Sequence, residues 1–173
     1  LRKRRNWYNE TMSKNNVWFM ALVAALGGFL FGFDTIVING AEQDIQRLWN
    51  LSGTMHGWVV SSALWGTVVG ALVGGWISDR FGRKPTLCAL GAVYFLSALW
   101  SALATGPWML MAARLMGGVG VGVSTIAAPV YIAEISPAES RGKMTAAFQF
   151  NIVFGVLVAL TSNLLLKDLG ENA

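Results

Sequence analysis

Residues 74–85 read Gly-Gly-Trp-Ile-Ser-Asp-Arg-Phe-Gly-Arg-Lys-Pro and join two long apolar runs. The connection is too short for a separate soluble loop, so the chain must reverse direction within a few residues. Gly82 can adopt the positive φ that such a reversal often needs, and Pro85 suits the first turn of a following helix. The stretch therefore predicts a tight helical hairpin with a basic turn.

The composition surrounding this turn excludes most soluble proteins. The chain has 173 residues, of which 54% are hydrophobic and 13% are charged, with a mean hydropathy of +0.51. A soluble domain carries about a quarter charged residues. Cys88 is the only cysteine and His56 the only histidine, which argues against a disulfide framework, a cysteine metal cluster or a histidine-rich metal site. We expect an integral membrane protein with no cofactor, no metal site and no catalytic triad.

Five apolar runs are long enough to cross a bilayer, for which a helix needs about 20 residues. They lack the alternation of period two that membrane β-barrels show. The predicted fold is therefore all-α and transmembrane, with a basic segment at 1–16 and a tail at 167–173. Within the basic segment, residues 1–11 precede Met12, which we interpret as the native start. The predicted spans cover residues 17–40, 55–77, 85–105, 107–133 and 144–166.

The basic residues indicate how these spans are oriented. Before the first span and in the two connections on the same side lie ten lysines and arginines, whereas the other side has only Arg47 and Lys167. Basic loops stay in the cytoplasm, so we expect a cytoplasmic N-terminus and an outer tail. The short N-terminus expected before the first span favours a bacterial plasma membrane as the location. Because the basic residues lie at the ends of apolar runs, the net charge of +4 does not indicate a nucleic-acid partner. The ten are Arg2, Lys3, Arg4, Arg5, Lys14, Arg80, Arg83, Lys84, Arg141 and Lys143.

Two charged residues lie inside the spans, where such groups usually face the bundle interior and pair. Asp34 in the first span is about 9 Å below the predicted outer end, and Arg114 in the fourth is about 10 Å below the same surface, at 1.5 Å per residue. The two side chains can meet if the helices are neighbours. Small residues let helices approach closely, and we expect glycines to bring the two spans together. These glycines are Gly28, Gly32, Gly118 and Gly122.

The pair of Asp34 and Arg114 allows two interpretations. One is a fixed ion pair that only holds two helices together. The other is a proton site, because a carboxylate binds a proton more readily in an apolar cavity and less readily beside an arginine. A conformational cycle that changes the distance between Asp34 and Arg114 would then be coupled to a protonation cycle.

A second basic connection, at 129–143, reads Pro-Val-Tyr-Ile-Ala-Glu-Ile-Ser-Pro-Ala-Glu-Ser-Arg-Gly-Lys. Its Glu134 lies at the same end of the bundle as the arginines of the first turn. A carboxylate among arginines forms charge-assisted hydrogen bonds, which can hold one conformation closed. The alternative is solvated surface charge.

Together, these motifs resemble the sugar porter family of the major facilitator superfamily. The first turn is similar to the superfamily's signature loop, and the stretches 27–35, 114–122, 129–142 and 149–155 are similar to sugar porter helices one, four and five. Family members have twelve transmembrane helices in two halves, each half built from two inverted three-helix repeats. The resemblance implies that this chain is the first five helices of a longer transporter, and that the second half of the same polypeptide is its partner.

The resemblance also implies roles for individual residues. Gln149 matches a glutamine that hydrogen-bonds sugar hydroxyls, and Phe31 an aromatic residue of the sugar pocket. The alternatives are a hydrogen bond between helices for Gln149 and simple packing for Phe31. Asp34 and Arg114 match the proton-coupling pair, whereas uncoupled facilitators have a neutral residue in place of the aspartate. Residues that match a cytoplasmic gating network are Gly75, Asp79, Arg80, Gly82, Arg83, Glu134 and Arg141.

The predicted function is therefore proton-coupled transport of a monosaccharide, a pentose or a hexose, by alternating access across a lipid bilayer, and not an enzymatic reaction. An uncoupled sugar facilitator, a transporter-like sugar sensor and an inactive fragment remain as alternatives. Uptake that ignores a proton uncoupler would indicate a facilitator, and long soluble extensions would favour a sensor.

Overall fold

The computed structural model describes residues 14–170, with side chains over 17–165, and this part of the chain consists of five helices. All five are long and apolar enough to cross a membrane, which confirms the predicted all-α transmembrane fold. Large apolar side chains on the outside, such as Leu72 at 80% exposure and Phe95 at 69%, fit contact with lipid. The helices are α1 (Lys14–Leu48), α2 (Gly53–Phe81), α3 (Arg83–Ala102), α4 (Pro107–Ile135) and α5 (Arg141–Gly170).

Helix ends differ from the predicted span ends. Helix α1 continues eight residues past Gly40 to Leu48, because residues 41–48 are polar but contain good helix formers. Helix α3 ends at Ala102, before the predicted 105. Helix α5 continues to Gly170 through most of the segment assigned to the tail. The basic segment up to residue 13 and residues 171–173 lie outside the described residues.

The helices form two intimate pairs, α1 with α5 and α2 with α4, and α3 packs on the outside of α4. An exchange of α1 with α4 and of α2 with α5 converts one pair into the other. This relation is what two inverted three-helix repeats require. The packing of these five helices is therefore already related by the repeat symmetry, although a complete pair of three-helix repeats would need six.

Glycines allow the close approach within each of these two pairs. The sequence instead predicts that they bring α1 and α4 together. A Cβ on Gly118 or Gly122 of α4 would collide with backbone atoms of α2, whereas a Cβ on Gly28 or Gly32 of α1 would collide with backbone atoms of α5. The prediction that these glycines join α1 to α4 is therefore wrong. Helices α1 and α4 touch, but less extensively than either glycine-rich pair.

A single residue, Gly82, separates α2 from α3 and has a φ of +89°. Its N–H donates to the Ser78 carbonyl at 3.1 Å, and its own carbonyl accepts the Thr86 hydroxyl at 2.7 Å. The reversal is as tight as predicted. The two helices nevertheless make few contacts with each other, because α3 packs on α4 instead.

An apolar core lies at the end of the bundle that carries Gly82, which we call the basic end. There the first turns of α1 and α5 meet the last turns of α4 around Ile132 and Met144, which are 0% and 1% exposed. Small alanines of α1 complete this core. The basic end is therefore a packed base for the more open cavities described below.

Candidate functional site

Asp34 of α1 and Arg114 of α4 lie side by side, with 3.8 Å between Asp34 Oδ1 and Arg114 Nη1. The Arg114 side chain is 8% exposed and that of Asp34 43% exposed. The separation is within ion-pair range but longer than a hydrogen bond. In addition, Arg114 Nε is buried and has no hydrogen-bond partner among the described residues. Arg114 is thus a buried cation with one incompletely engaged counter-ion, so removing that counter-ion would be costly.

Around this pair is a cavity of about 150 Å³, which we call the Asp34 cavity. Three helices form it, and its wall is mostly apolar with a few polar groups. The lining comprises Phe31, Asp34, Thr35, Ile38, Asn39, Val60, Ala63, Leu64, Thr67, Arg114 and Val121.

A second and larger cavity of about 680 Å³ lies between α1, α4 and α5, and we call it the Gln149 cavity. Gln149 is exposed, so its amide is available to a ligand as donor and acceptor. Phe31 borders this cavity as well as the Asp34 cavity. A few polar groups in a largely apolar wall are typical of small-molecule sites. The lining comprises Phe31, Thr125, Pro129, Gly142, Thr145, Ala146, Phe148, Gln149 and Ile152.

The predicted sugar-binding pair is thus brought to one cavity. Two other polar residues of α5 have different surroundings. Asn151 is buried and donates to the Ala147 carbonyl of its own helix at 3.0 Å. Asn163 donates to the Ile36 carbonyl of α1 at 3.1 Å. Asn163 therefore links α5 to α1, whereas the Asn151 amide is engaged within α5.

At the basic end, Arg83 connects three helices. It forms an ion pair and hydrogen bond with Asp79 of α2, and its Nε lies 3.3 Å from Glu134 Oε1 of α4. Asp79 and Glu134 are mostly exposed, at 71% and 54%. Solvent-exposed ion pairs contribute only about 0–1 kcal/mol to stability. This cluster therefore sets relative helix positions more than it holds the bundle together.

The other members of the predicted gating network are not part of this cluster. The Arg80 guanidinium lies 5.4 Å from the centre of the Trp76 ring, in a cation–π contact. Arg141 begins α5 and is exposed. Gly75 has open space where a Cβ would lie, whereas its neighbour Gly74 packs against Val123 of α4.

Loss of the Arg83 connections is expected to change conformation more than stability. Arg83→Gln should lower the free energy of unfolding by about 1 kcal/mol or less, yet, if the cluster acts as the predicted gate, open the basic end. The measurement is labelling of a single cysteine placed at the basic end, with Lys84→Gln as the matched control. Equal labelling in both variants and the unsubstituted protein would contradict a gating role.

Sequence reasoning missed two hydrogen bonds that attach α3. The Tyr94 hydroxyl lies 2.9 Å from Ser124 Oγ of α4, and Ser97 Oγ donates to the Ala113 carbonyl at 2.8 Å. Single polar residues on an apolar helix were the available signal, but their partners are 30 and 16 residues away along the chain. Among the side chains that the structure describes, over 17–165, no three acidic, histidine or cysteine residues come close enough to hold a metal ion.

The family model described as sugar (and other) transporter matches residues 20–173. A glucose transport protein of Synechocystis is 44% identical over 158 residues, which are 90% of this chain and 34% of that protein. This chain belongs to the sugar porter family of the major facilitator superfamily.

Other sugar porters support the same assignment. The D-xylose-proton symporter of Escherichia coli K12 is 34% identical over 94% of this chain and 38% of its own length. The structure of the proton:xylose symporter XylE bound to 6-bromo-6-deoxy-D-glucose matches 90% of this sugar porter chain and 38% of its own, with a TM-score of 0.82 and 34% identity. The family is one of transporters. This chain spans about a third of the length of the curated relatives it matches.

Proposed function

We propose that this chain is the first five helices of a transporter that moves a monosaccharide together with a proton. The observation that carries the proposal is the pair of adjoining cavities. One holds an acidic residue beside a buried arginine, the other an exposed amide, and Phe31 borders both. Relatives over this region include proton symporters named for xylose, arabinose and galactose.

The chemistry of each cavity fits its proposed role. Gln149 offers a donor and an acceptor to sugar hydroxyls, while Phe31 presents an aromatic face to the apolar side of a sugar ring. Protonation of Asp34 would remove the charge that Arg114 faces. The attraction between α1 and α4 would then depend on whether Asp34 carries a proton. In this way a proton gradient can favour one of the two conformations of a transporter.

The orientation proposed from the basic residues places the Arg83 cluster in the cytoplasm of a bacterial cell. In that orientation, the cluster closes the inner side while sugar and proton enter from outside. In this proposal, the remaining contacts of the sugar and of the gate come from the second half of the polypeptide. Alternating access between the halves is part of the proposal.

The test uses the complete reading frame that contains this chain, purified and reconstituted in liposomes. With a proton gradient imposed, one of a panel of pentoses and hexoses should accumulate inside, and a proton ionophore should abolish accumulation. Accumulation of sugar that ignores the ionophore, or entry that only equilibrates, would favour an uncoupled facilitator. Binding of a sugar without entry would favour a sensor.

Gln149→Ala should weaken sugar binding without affecting proton coupling. Loss of a hydrogen bond to a hydroxyl costs about 1 kcal/mol, so we expect the KM for the transported sugar to rise about fivefold. Asn151→Ala is the matched control, since that amide bonds its own helix. The KM is measured in initial-rate uptake. An unchanged KM would place Gln149 outside the sugar site.

A further inference from the structure

The Asp34 cavity contains more hydrogen-bonding capacity than an ion pair needs. Three uncharged polar side chains line it: Thr35 and Asn39 from α1, and Thr67 from α2. The hydroxyl of Thr35 donates to the Phe31 carbonyl at 2.8 Å, and that of Thr67 donates to the Ala63 carbonyl at 2.9 Å. With their hydrogens so used, both oxygens remain as acceptors.

Asn39 differs from the two threonines, because its amide makes no hydrogen bond to any residue that the structure describes. The side chain is exposed. It offers two donors and an acceptor, which is the capacity needed to relay hydrogen bonds between water molecules.

The size of the cavity and the spacing of the charges both favour water. Since a water molecule occupies about 30 Å³ in the liquid, a cavity of about 150 Å³ has room for several. The gap of 3.8 Å between Asp34 Oδ1 and Arg114 Nη1 is too long for a direct hydrogen bond, and polar groups at such a distance are often bridged by water.

Position along α1 gives the cavity a direction. Asn39 lies five residues after Asp34, about 7.5 Å further along the helix, toward the end that carries Leu48. In the proposed orientation this is the outer side. Phe31 lies in the opposite direction along the helix and lines both the Asp34 cavity and the Gln149 cavity, whereas Asn39 lines the Asp34 cavity alone. A proton that enters past Asn39 reaches Asp34 without passing through the sugar cavity.

We propose that the Asp34 cavity is a hydrated entry path for protons from the outer side, with Asn39 at its mouth and Thr67 on its wall. This inference rests on the proposed proton symport. Water in the path delivers a proton to the Asp34 carboxylate, which becomes the neutral acid. The charged side chains that line the path are Asp34 and Arg114. Tyr94 of α3 bonds Ser124 and is not part of the lining.

The test compares proton-driven uptake with sugar counterflow in liposomes that contain the complete transporter. Counterflow exchanges labelled for unlabelled sugar without net proton transfer. Asn39→Leu replaces the amide with an apolar side chain of similar size, so proton-driven uptake should slow about fivefold, as expected for a lost hydrogen bond. Counterflow should keep its rate. Asn39→Ser, whose hydroxyl can again donate and accept a hydrogen bond, should recover most of the driven uptake.

A second variant makes the test independent of how Asn39→Leu folds. Thr67→Val removes a hydroxyl at nearly constant volume and should slow driven uptake in the same selective manner. Thr161→Val is its control, because that hydroxyl also donates to a carbonyl of its own helix, at 2.9 Å, but does not line the cavity.

The outcomes separate the inference from the function on which it rests. If the unsubstituted protein shows no proton-driven accumulation, both are wrong. If it does, and both variants match it or lose counterflow as strongly as driven uptake, proton symport stands and the entry path is rejected. Selective loss in both variants, with recovery in Asn39→Ser, supports the entry path.

Discussion

Replacing Asp34 by asparagine is expected to abolish proton-driven sugar accumulation while exchange of sugar across the membrane continues. Asparagine has nearly the same shape as aspartate and can still approach Arg114, which lies 3.8 Å away. It cannot take up and release a proton. The internal sugar concentration should then rise no higher than the external one, whatever proton gradient is imposed. Counterflow in the same liposomes should remain measurable.

The control for this variant is Asp44→Asn, which makes the same change on an exposed residue ten positions along the same helix. Because Arg114 is 8% exposed, loss of its counter-ion could also destabilise the protein by about 3–5 kcal/mol. The unfolding temperature of each variant must therefore be measured beside its transport. Full accumulation by Asp34→Asn would contradict proton coupling at this residue and favour the reading of a fixed ion pair.

The position of the charged pair could be predicted from the sequence, because it depends on residue counts along two helices. The depths of Asp34 and Arg114 follow from residue counts, because a helix rises a fixed 1.5 Å per residue. A buried charge in a membrane also needs a partner. The sequence therefore placed the two residues at one level, and the structure brings them together. Their role in proton coupling stays a prediction.

For the glycines, the sequence did not predict which helix is the neighbour. Their spacing correctly marks faces on which helices approach closely, but it does not identify the neighbour. In lipid there is no hydrophobic driving force that favours one apolar helix over another. The partner of Gly32 is set by the shape of α5, and that of Gly118 by the shape of α2. The glycine spacing alone predicts neither shape.

The polar contacts between helices were equally hard to predict. Asn163 bonds a backbone carbonyl of α1, 127 residues earlier, and Gly40 leaves the space that its side chain occupies. A backbone acceptor carries no sequence signal. The family resemblance supplied Gln149 and Phe31, whereas the residues around them in the two cavities became visible only once α1, α2, α4 and α5 were packed.

Gly122→Ala should prevent normal packing of α2 against α4. The added Cβ would lie within 3 Å of the Thr67 carbonyl oxygen and of the backbone nitrogen of Ala71. Backbone atoms cannot move aside as the end of a side chain can, so the helices must separate. Overpacking of this kind costs about 1–3 kcal/mol and occasionally more, and here it would open a contact that extends along both helices.

The matched substitution is Gly91→Ala on α3, where no atom lies within 4 Å of the added Cβ. Alanine is preferred over glycine in a helix by about 1 kcal/mol, so this variant should be as stable as the unsubstituted protein or slightly more so. Thermal unfolding of the complete transporter in detergent compares the two directly. We expect a clearly lower unfolding temperature for Gly122→Ala alone. If the two variants unfold alike, contact through Gly122 does not determine the α2–α4 pair.

Because Thr67 and Arg114 belong to those helices, a loosened pair should also impair proton-driven uptake, and Gly122→Ala should lose transport even where it still inserts into the membrane.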